Sequence, residues 1–109
     1  MEKPLSDRAL IHNAYQDIAE AKRTLYLCWP PRAGRAQTEK LEQIKELLTN
    51  LDQEPAASEP RVAWHLGAMA RAWVGLILDG FISYPKARPK IEPLLRMSLD
   101  HLADHIEEQ

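Results

Sequence analysis

The stretch 61–84, RVAWHLGAMARAWVGLILDGFISY, constrains the fold more than any other part of the chain. Its apolar residues do not keep to one side of a 3.6-residue period, and His65, Arg71 and Asp79 are the main interruptions. A helix that is apolar on nearly every side is a buried helix. The sequence therefore predicts that a helix over 61–84 lies at the centre and that the other segments pack around it.

This stretch is also long enough to cross a bilayer, so a membrane span has to be considered. Arg71 and Asp79 argue against it, because such a charge near the bilayer centre costs roughly 2.5–3.5 kcal/mol. The first ten residues, MEKPLSDRAL, lack the apolar region of a secretory signal. Cys28 is the only cysteine, which excludes an internal disulfide and suits a reducing compartment. We therefore expect a cytoplasmic protein without a membrane span.

Three further helices are indicated by apolar residues at helical spacing and by capping or breaking residues at their ends. Their predicted ranges are Ser6 or Asp7 to Cys28, Thr38 to Leu51, and Lys90 to Glu107. Ser58 is the predicted cap of the central helix, and Pro60 is placed in that helix's first turn, where its missing N–H does no harm.

No stretch alternates apolar and polar residues as a half-buried strand does, and no internal repeat is present. At 109 residues the chain is long enough for one core and too short for two. We predict an all-α protein with a single domain over residues 1–109. Short linkers favour antiparallel neighbours, so the simplest arrangement is a four-helix up-down-up-down bundle with a strongly apolar third helix.

The charges separate along such a bundle, although the formal net charge is only -2. Residues 22–40 contain five cations and one acid, and residues 86–90 contain three cations and no acid. Acids collect in residues 52–59 and 100–108. In an up-down bundle, residues 22–40 and 86–90 lie at one pole, and residues 52–59 and 100–108 lie at the other. The sequence thus predicts one basic pole and one acidic pole.

The predicted basic pole also contains Tyr26, Trp29 and Tyr84. Cations bind phosphates and aromatic rings stack on unpaired bases, so this combination is typical of contacts with single-stranded nucleic acid. An ordinary solvated surface is the alternative interpretation. The residues predicted to bind phosphate are Arg23, Arg32, Arg35, Lys86, Arg88 and Lys90.

Large apolar residues are numerous for so short a chain, and three helices cover a fully apolar fourth helix with difficulty. Aromatic side chains often dominate the energetics of protein interfaces. We therefore predict a small non-enzymatic adaptor or subunit that docks onto a larger protein or nucleoprotein assembly, or onto a second copy of itself. Trp29, Trp64 and Trp73 are the predicted partner-binding residues.

His101 and His105 are spaced i, i+4, so they project from the same side of the last helix. In an up-down bundle the first helix brings His12 toward them, and three imidazoles are a plausible zinc ligand set. A boundary position between core and solvent is the alternative for these side chains. No other cofactor is predicted, because no Gly-rich phosphate loop or nucleophile elbow is found.

Arg96 and His101 have the spacing R-x4-H within the segment RMSLDH. In this respect the segment is similar to the motif of HEPN-type helical ribonucleases. That resemblance implies an arginine and a histidine acting on RNA phosphates at a dimer interface. A small helical enzyme, either metal-dependent through the histidines or ribonuclease-like, is therefore the alternative to the adaptor.

Overall fold

The computed structural model describes residues 6–27 and 35–107, which contain four α-helices. They are α1 (Asp7–Leu27), α2 (Arg35–Thr49), α3 (Arg61–Leu78) and α4 (Tyr84–Glu107). No β-strand is found in these two ranges. The predicted all-α class is confirmed.

Helix contacts follow a closed ring, in which α1 and α3 each pack against both α2 and α4. The Tyr84 hydroxyl at the start of α4 donates to Leu25 O at the end of α1, at 3.2 Å. Ser98 Oγ donates to Ala63 O at 2.9 Å, so the second half of α4 lies beside the start of α3. These contacts are compatible with the predicted up-down-up-down order.

The first helix begins where the sequence predicts. Ser6 Oγ accepts a hydrogen bond from Ala9 N at 3.2 Å, which satisfies one of the free donors of the first turn. The helix α2 begins at Arg35, three residues before the predicted Thr38. That prediction was wrong because Arg, Ala and Gln are adequate helix formers and need no cap at Thr38 to become helical.

The ends of α3 differ from the prediction. Ser58 provides no side-chain cap, because Pro60 is the N-cap residue and Arg61 N bonds to Ser58 O. The helix ends at Leu78 rather than Tyr84. Gly80 has a φ of 84°, and Gly80 N and Phe81 N bond to Ile77 O and Leu76 O. This is the Schellman arrangement, and it ends a helix whatever the hydrophobicity of the residues beyond.

Helix α4 begins at Tyr84, six residues before the predicted Lys90, and contains Pro89 and Pro93 within it. An internal proline costs a helix about 3 kcal/mol or more, so the sequence predicted that α4 starts later. Tyr84, Ala87 and Ile91 are buried in the core, and their burial offsets that cost.

The inner side of α3 carries small residues where α2 approaches. A Cβ atom added at Gly67 would lie 2.6 Å from Leu51 Cδ1. The buried residues of α3 are Ala63, Trp64, Gly67, Ala70 and Val74. The prediction that α3 lies at the centre, with the other segments packed around it, was wrong in one respect, because the opposite side of α3 meets solvent. No helix in the described part of the chain has the length and hydrophobicity that a membrane span requires.

Loop 50–60 is held against three helices at the pole that contains the start of α1. The Asp7 carboxylate accepts hydrogen bonds from Ala56 N at 2.8 Å and from Ala57 N at 3.1 Å. Trp64 Nε1 donates to Gln53 O at 3.0 Å. His101 Nε2 donates to Glu59 O at 2.6 Å, which attaches α4 to the same loop.

We expect Asp7 to make folding stability depend on acidic pH. The Ala56 and Ala57 N–H groups, aided by the charge of Arg61, lower the pKa of Asp7 and outweigh its desolvation. A lowered folded-state pKa gives stability that is present above the unfolded value of about 3.9 and is lost as pH falls through the folded value. Urea unfolding between pH 7 and pH 2 should therefore show a smaller acid loss for Asp7→Asn than for wild type.

The matched control is Asp52→Asn, which removes an exposed carboxylate and keeps both loop hydrogen bonds. Its acid loss should follow that of wild type. An Asp7→Asn profile that parallels the wild-type profile at every pH would contradict this role.

Candidate functional site

The solvent-facing side of α3 carries a row of exposed apolar residues. Val62, Met69 and Leu76 follow one another at seven-residue intervals and are 45%, 53% and 39% exposed. Seven residues are close to two helical turns, so the three side chains lie in a nearly straight row. Leu66 lies four residues after Val62, and Trp73 lies four residues after Met69, so both flank the same row. Both side chains are half-buried.

Helix α4 contributes a second row beside the first. Met97 is 49% exposed and lies four residues before His101. The His101 ring is bonded to Glu59 O, just before the start of α3. Residues four apart share a helix face, so Met97 lies on the side of α4 that borders α3. Lys86 and Asp104 are eighteen residues apart, which is five turns, and both are exposed on that same face together with Lys90.

We call these two rows the α3/α4 outer face. Its members are Val62, Met69 and Leu76 of α3, and Lys86, Lys90, Met97 and Asp104 of α4. Phe81 lies at one end of it, because Phe81 N is bonded to Leu76 O, and this ring is 78% exposed. The face is cationic at one end and acidic at the other, and its middle combines Met69 and Met97 with the exposed His65 and Asp100.

The tryptophans predicted to bind a partner have different positions. Trp64 is 3% exposed and lies in the core, so its indole supports the fold and the loop at Gln53. Trp73 is half-buried beside the outer face. Trp29 lies outside the described residues. Val62, Leu76 and Phe81 were not predicted to bind a partner, although the seven-residue spacing of Val62 and Leu76 from Met69 was a usable signal.

The structure places one predicted phosphate-binding residue, Arg88, beside Tyr26 at the end of α1, together with Lys22, which was not predicted to bind phosphate. The Tyr26 ring has Lys22 Nζ at 5.9 Å and Arg88 Cζ at 5.7 Å from its centroid. Its hydroxyl donates to Glu92 Oε1 at 3.3 Å. Two cations thus already approach this ring, which leaves less of it accessible for stacking on a base.

The remaining predicted phosphate ligands are dispersed. Arg23 forms an exposed ion pair with Glu20 at 2.9 Å, and Lys86 and Lys90 are exposed along α4. Arg32 lies outside the described residues, as does the side chain of Arg35. At the start of α4, Lys86 N and Ala87 N bond to Ser83 O, and Pro85 has no N–H. This helix start therefore offers an anion few free donors.

The predicted histidine ligands form a pair rather than a triad. The His101 and His105 rings make an edge contact with centroids 5.6 Å apart, and His101 Nε2 is engaged by Glu59 O. His12 lines a groove of about 330 Å³ between α1 and α4 with Tyr15, Gln16, Ala103 and Ile106. In the described part of the chain, no three His, Cys, Asp or Glu side chains form a group able to hold a metal ion.

Arg96 and His101 lie on different sides of α4. Five residues correspond to about 500° of rotation, so their side chains diverge by roughly 140°. Arg96 is exposed, whereas His101 is directed to Glu59 O in loop 50–60. A single chain therefore does not bring the R-x4-H pair to one phosphate.

A separate polar cleft of about 350 Å³ lies between α1 and the end of α2 and is lined by Asn13, Asp17, Asn50 and Asp52, among others. Burial raises the pKa of the Asp17 carboxyl, and a hydrogen bond from the Asn50 side chain opposes that effect. The cleft contains amides and carboxylates but no histidine, cysteine or lysine. Its side chains include no strong nucleophile.

These features define the class as an all-α protein of four packed helices with an exposed, mostly apolar face. Searches of protein-family models, of curated proteins and of solved structures found no match to this chain. The interpretation of its function therefore depends on the surface described above.

Proposed function

We propose that this protein is a small helical docking subunit that binds a protein partner through the α3/α4 outer face and performs no catalysis. The observation that supports this proposal is the row of Val62, Met69 and Leu76, each more than one-third exposed, beside an equally exposed Met97. Five of the seven large hydrophobic side chains exposed in the described residues belong to this face or its end, namely Val62, Met69, Leu76, Phe81 and Met97. Exposed apolar residues that cluster in this way mark interaction sites.

The energetics favour association of this face. Burying an apolar side chain completely contributes about 1.5–3 kcal/mol, and these four side chains are half-exposed in the single chain. Trp73, at the edge of the row, supplies the kind of aromatic group that dominates many interfaces. Lys86 and Asp104 lie toward the two ends of the face, where they can stay solvated, whereas Lys90 and Asp100 lie nearer its middle. The face therefore mixes apolar and polar groups, as many non-obligate interfaces do.

The side chains predicted to act in catalysis give the enzymatic alternative less support. His101 is bound to a loop carbonyl, His12 faces a different groove, and Arg96 lies on another side of α4. The histidines and Arg96 that the enzymatic alternative requires are therefore not gathered around one space. We therefore propose docking rather than the enzymatic alternative.

Affinity capture from the native source tests the proposal. Tagged wild-type chain should co-elute with a stoichiometric protein partner, and Met69→Glu with Met97→Glu should retain less than about one-tenth of it, because two charges would be buried unpaired. Leu27→Glu is the matched control, since Leu27 is 63% exposed on α1, away from the face.

Circular dichroism of all three proteins should show equal helix content. Partner retention that is equal in the face variant and in wild type would contradict docking through this face. Nuclease treatment distinguishes binding to a protein from binding to nucleic acid. A complex that disappears with nuclease but tolerates the Glu substitutions would indicate the predicted nucleic-acid contact of Lys86, Arg88 and their neighbours instead.

A further inference from the structure

The α3/α4 outer face has the symmetry that pairing with itself requires. Val62 and Leu76 are each seven residues from Met69, so reversing α3 about Met69 places Val62 where Leu76 was. Ala68 and Ala72, both exposed, alternate with the larger side chains and leave space for them. An antiparallel pair of such faces would therefore interdigitate large residues with small ones.

The charges at the two ends of α4 have opposite signs, so they would also match in an antiparallel pair. Lys86 and Lys90 are exposed near the beginning of α4, and Asp104 is exposed near its end on the same face. In a two-fold antiparallel pair, α4 of one copy runs against α4 of the other. The cationic end of each copy then meets the acidic end of its partner, twice, whereas parallel pairing would oppose like charges.

We propose that the occupant of the α3/α4 outer face is a second copy of this chain, bound in a two-fold antiparallel arrangement. This inference rests on the proposed function and identifies its partner. Met69 of one copy lies near Met69 of the other, and the Lys86 ammonium group lies near the Asp104 carboxylate of the second copy.

The face has the size of a small interface. The 18 residues of α3 span about 27 Å at 1.5 Å per residue, and two adjacent helices are roughly 20 Å wide, which gives a footprint of roughly 540 Å². This is below the about 800 Å² that each partner contributes to a standard interface, so we expect a dimer of modest affinity. The middle of this footprint contains the apolar side chains of Val62, Met69, Leu76 and Met97. Pairing would remove these side chains from solvent.

Sedimentation equilibrium of the purified chain over a concentration series tests self-pairing. Wild type should approach twice the 12.5 kDa mass of one chain. Met69→Glu should weaken the dimer by a factor on the order of 100, because two carboxylates would face each other at the centre. Leu27→Glu, which alters an exposed apolar residue elsewhere, should leave the dissociation constant unchanged within about two-fold.

Charge variants test the antiparallel orientation. Lys86→Glu with Lys90→Glu, and separately Asp104→Lys, should each weaken the dimer by about five-fold, the scale of exposed ion pairs. An equimolar mixture of the two variants should restore association to within about two-fold of wild type, because opposite charges then meet at both ends. Charge variants that strengthen the dimer, or leave it unchanged, would overturn the antiparallel arrangement.

The outcomes separate this inference from docking in general. A monomeric wild type whose face variant still loses a captured protein would overturn self-pairing and leave docking to a different protein intact. A dimer that tolerates Met69→Glu would overturn pairing through this face. A monomer whose capture is insensitive to the face variant would overturn both proposals.

Discussion

Trp64→Ala is expected to lower the free energy of unfolding by about 3–5 kcal/mol, the range found when a buried tryptophan is truncated. The indole is 3% exposed and belongs to the core. Its Nε1 donates to Gln53 O at 3.0 Å, so alanine would leave both a cavity and an unpaired carbonyl. Urea unfolding followed by circular dichroism measures the loss, which is large against the about 5–15 kcal/mol that stabilises a typical domain.

Two further variants separate packing from binding. Trp64→Phe keeps most of the buried volume and loses the hydrogen bond, so a smaller loss of about 1–2 kcal/mol is expected. Trp73→Ala, at a half-buried position, should weaken docking more than it weakens folding. A Trp64→Ala loss below about 1 kcal/mol would contradict the core position of this indole and restore it as a candidate partner anchor.

Gly67→Val is expected to destabilise the fold by about 1–2 kcal/mol through overpacking. An added Cβ would lie 2.6 Å from Leu51 Cδ1, so the valine forces the half-buried Leu51 side chain, in loop 50–60, out of its position against α3. This displacement outweighs the about 0.5–1 kcal/mol that a helix usually gains when a glycine is replaced. The midpoint and slope of urea unfolding report the change.

A double-mutant cycle identifies Leu51 as the cause. In the Leu51→Ala background the valine has space, so the double variant should be more stable than the sum of the single losses by about 1 kcal/mol. Gly75→Ala is the matched control, because an added Cβ there meets no atom within 4 Å. It should be neutral or stabilising. Strict additivity of Gly67→Val and Leu51→Ala would contradict the proposed contact.

The helices could be predicted from the sequence because their apolar residues recur at helical spacing, but several ends could not. Hydrophobicity continues from Leu78 through Phe81 and Ile82, which hid the end of α3, although the pair Asp79-Gly80 is a signal for a C-terminal glycine stop. The start of α4 was missed for the opposite reason. Its prolines argue against a helix that burial of Tyr84 and Ala87 nevertheless stabilises.

The candidate site was harder to predict because periodicity does not say which apolar residues a neighbour covers. Met69 and Trp64 look alike in an apolar segment, yet one is 53% exposed and the other 3%. Their difference comes from the ring of helix contacts, in which α3 touches α2 and α4 and turns its remaining side to solvent. The loop contacts of Asp7 and His101 likewise depend on residues about 50 and 40 positions away.

The most direct test of a docking role for the α3/α4 outer face is oxidative footprinting of the assembled and the dissociated protein. Met69 and Met97 are 53% and 49% exposed in the single chain, so peroxide should convert both to sulfoxides when the chain is dissociated by dilution. In the assembled state we predict that both methionines are oxidised at least about five-fold more slowly, whichever protein occupies the face. Equal oxidation rates of Met69 and Met97 in the two states would contradict it.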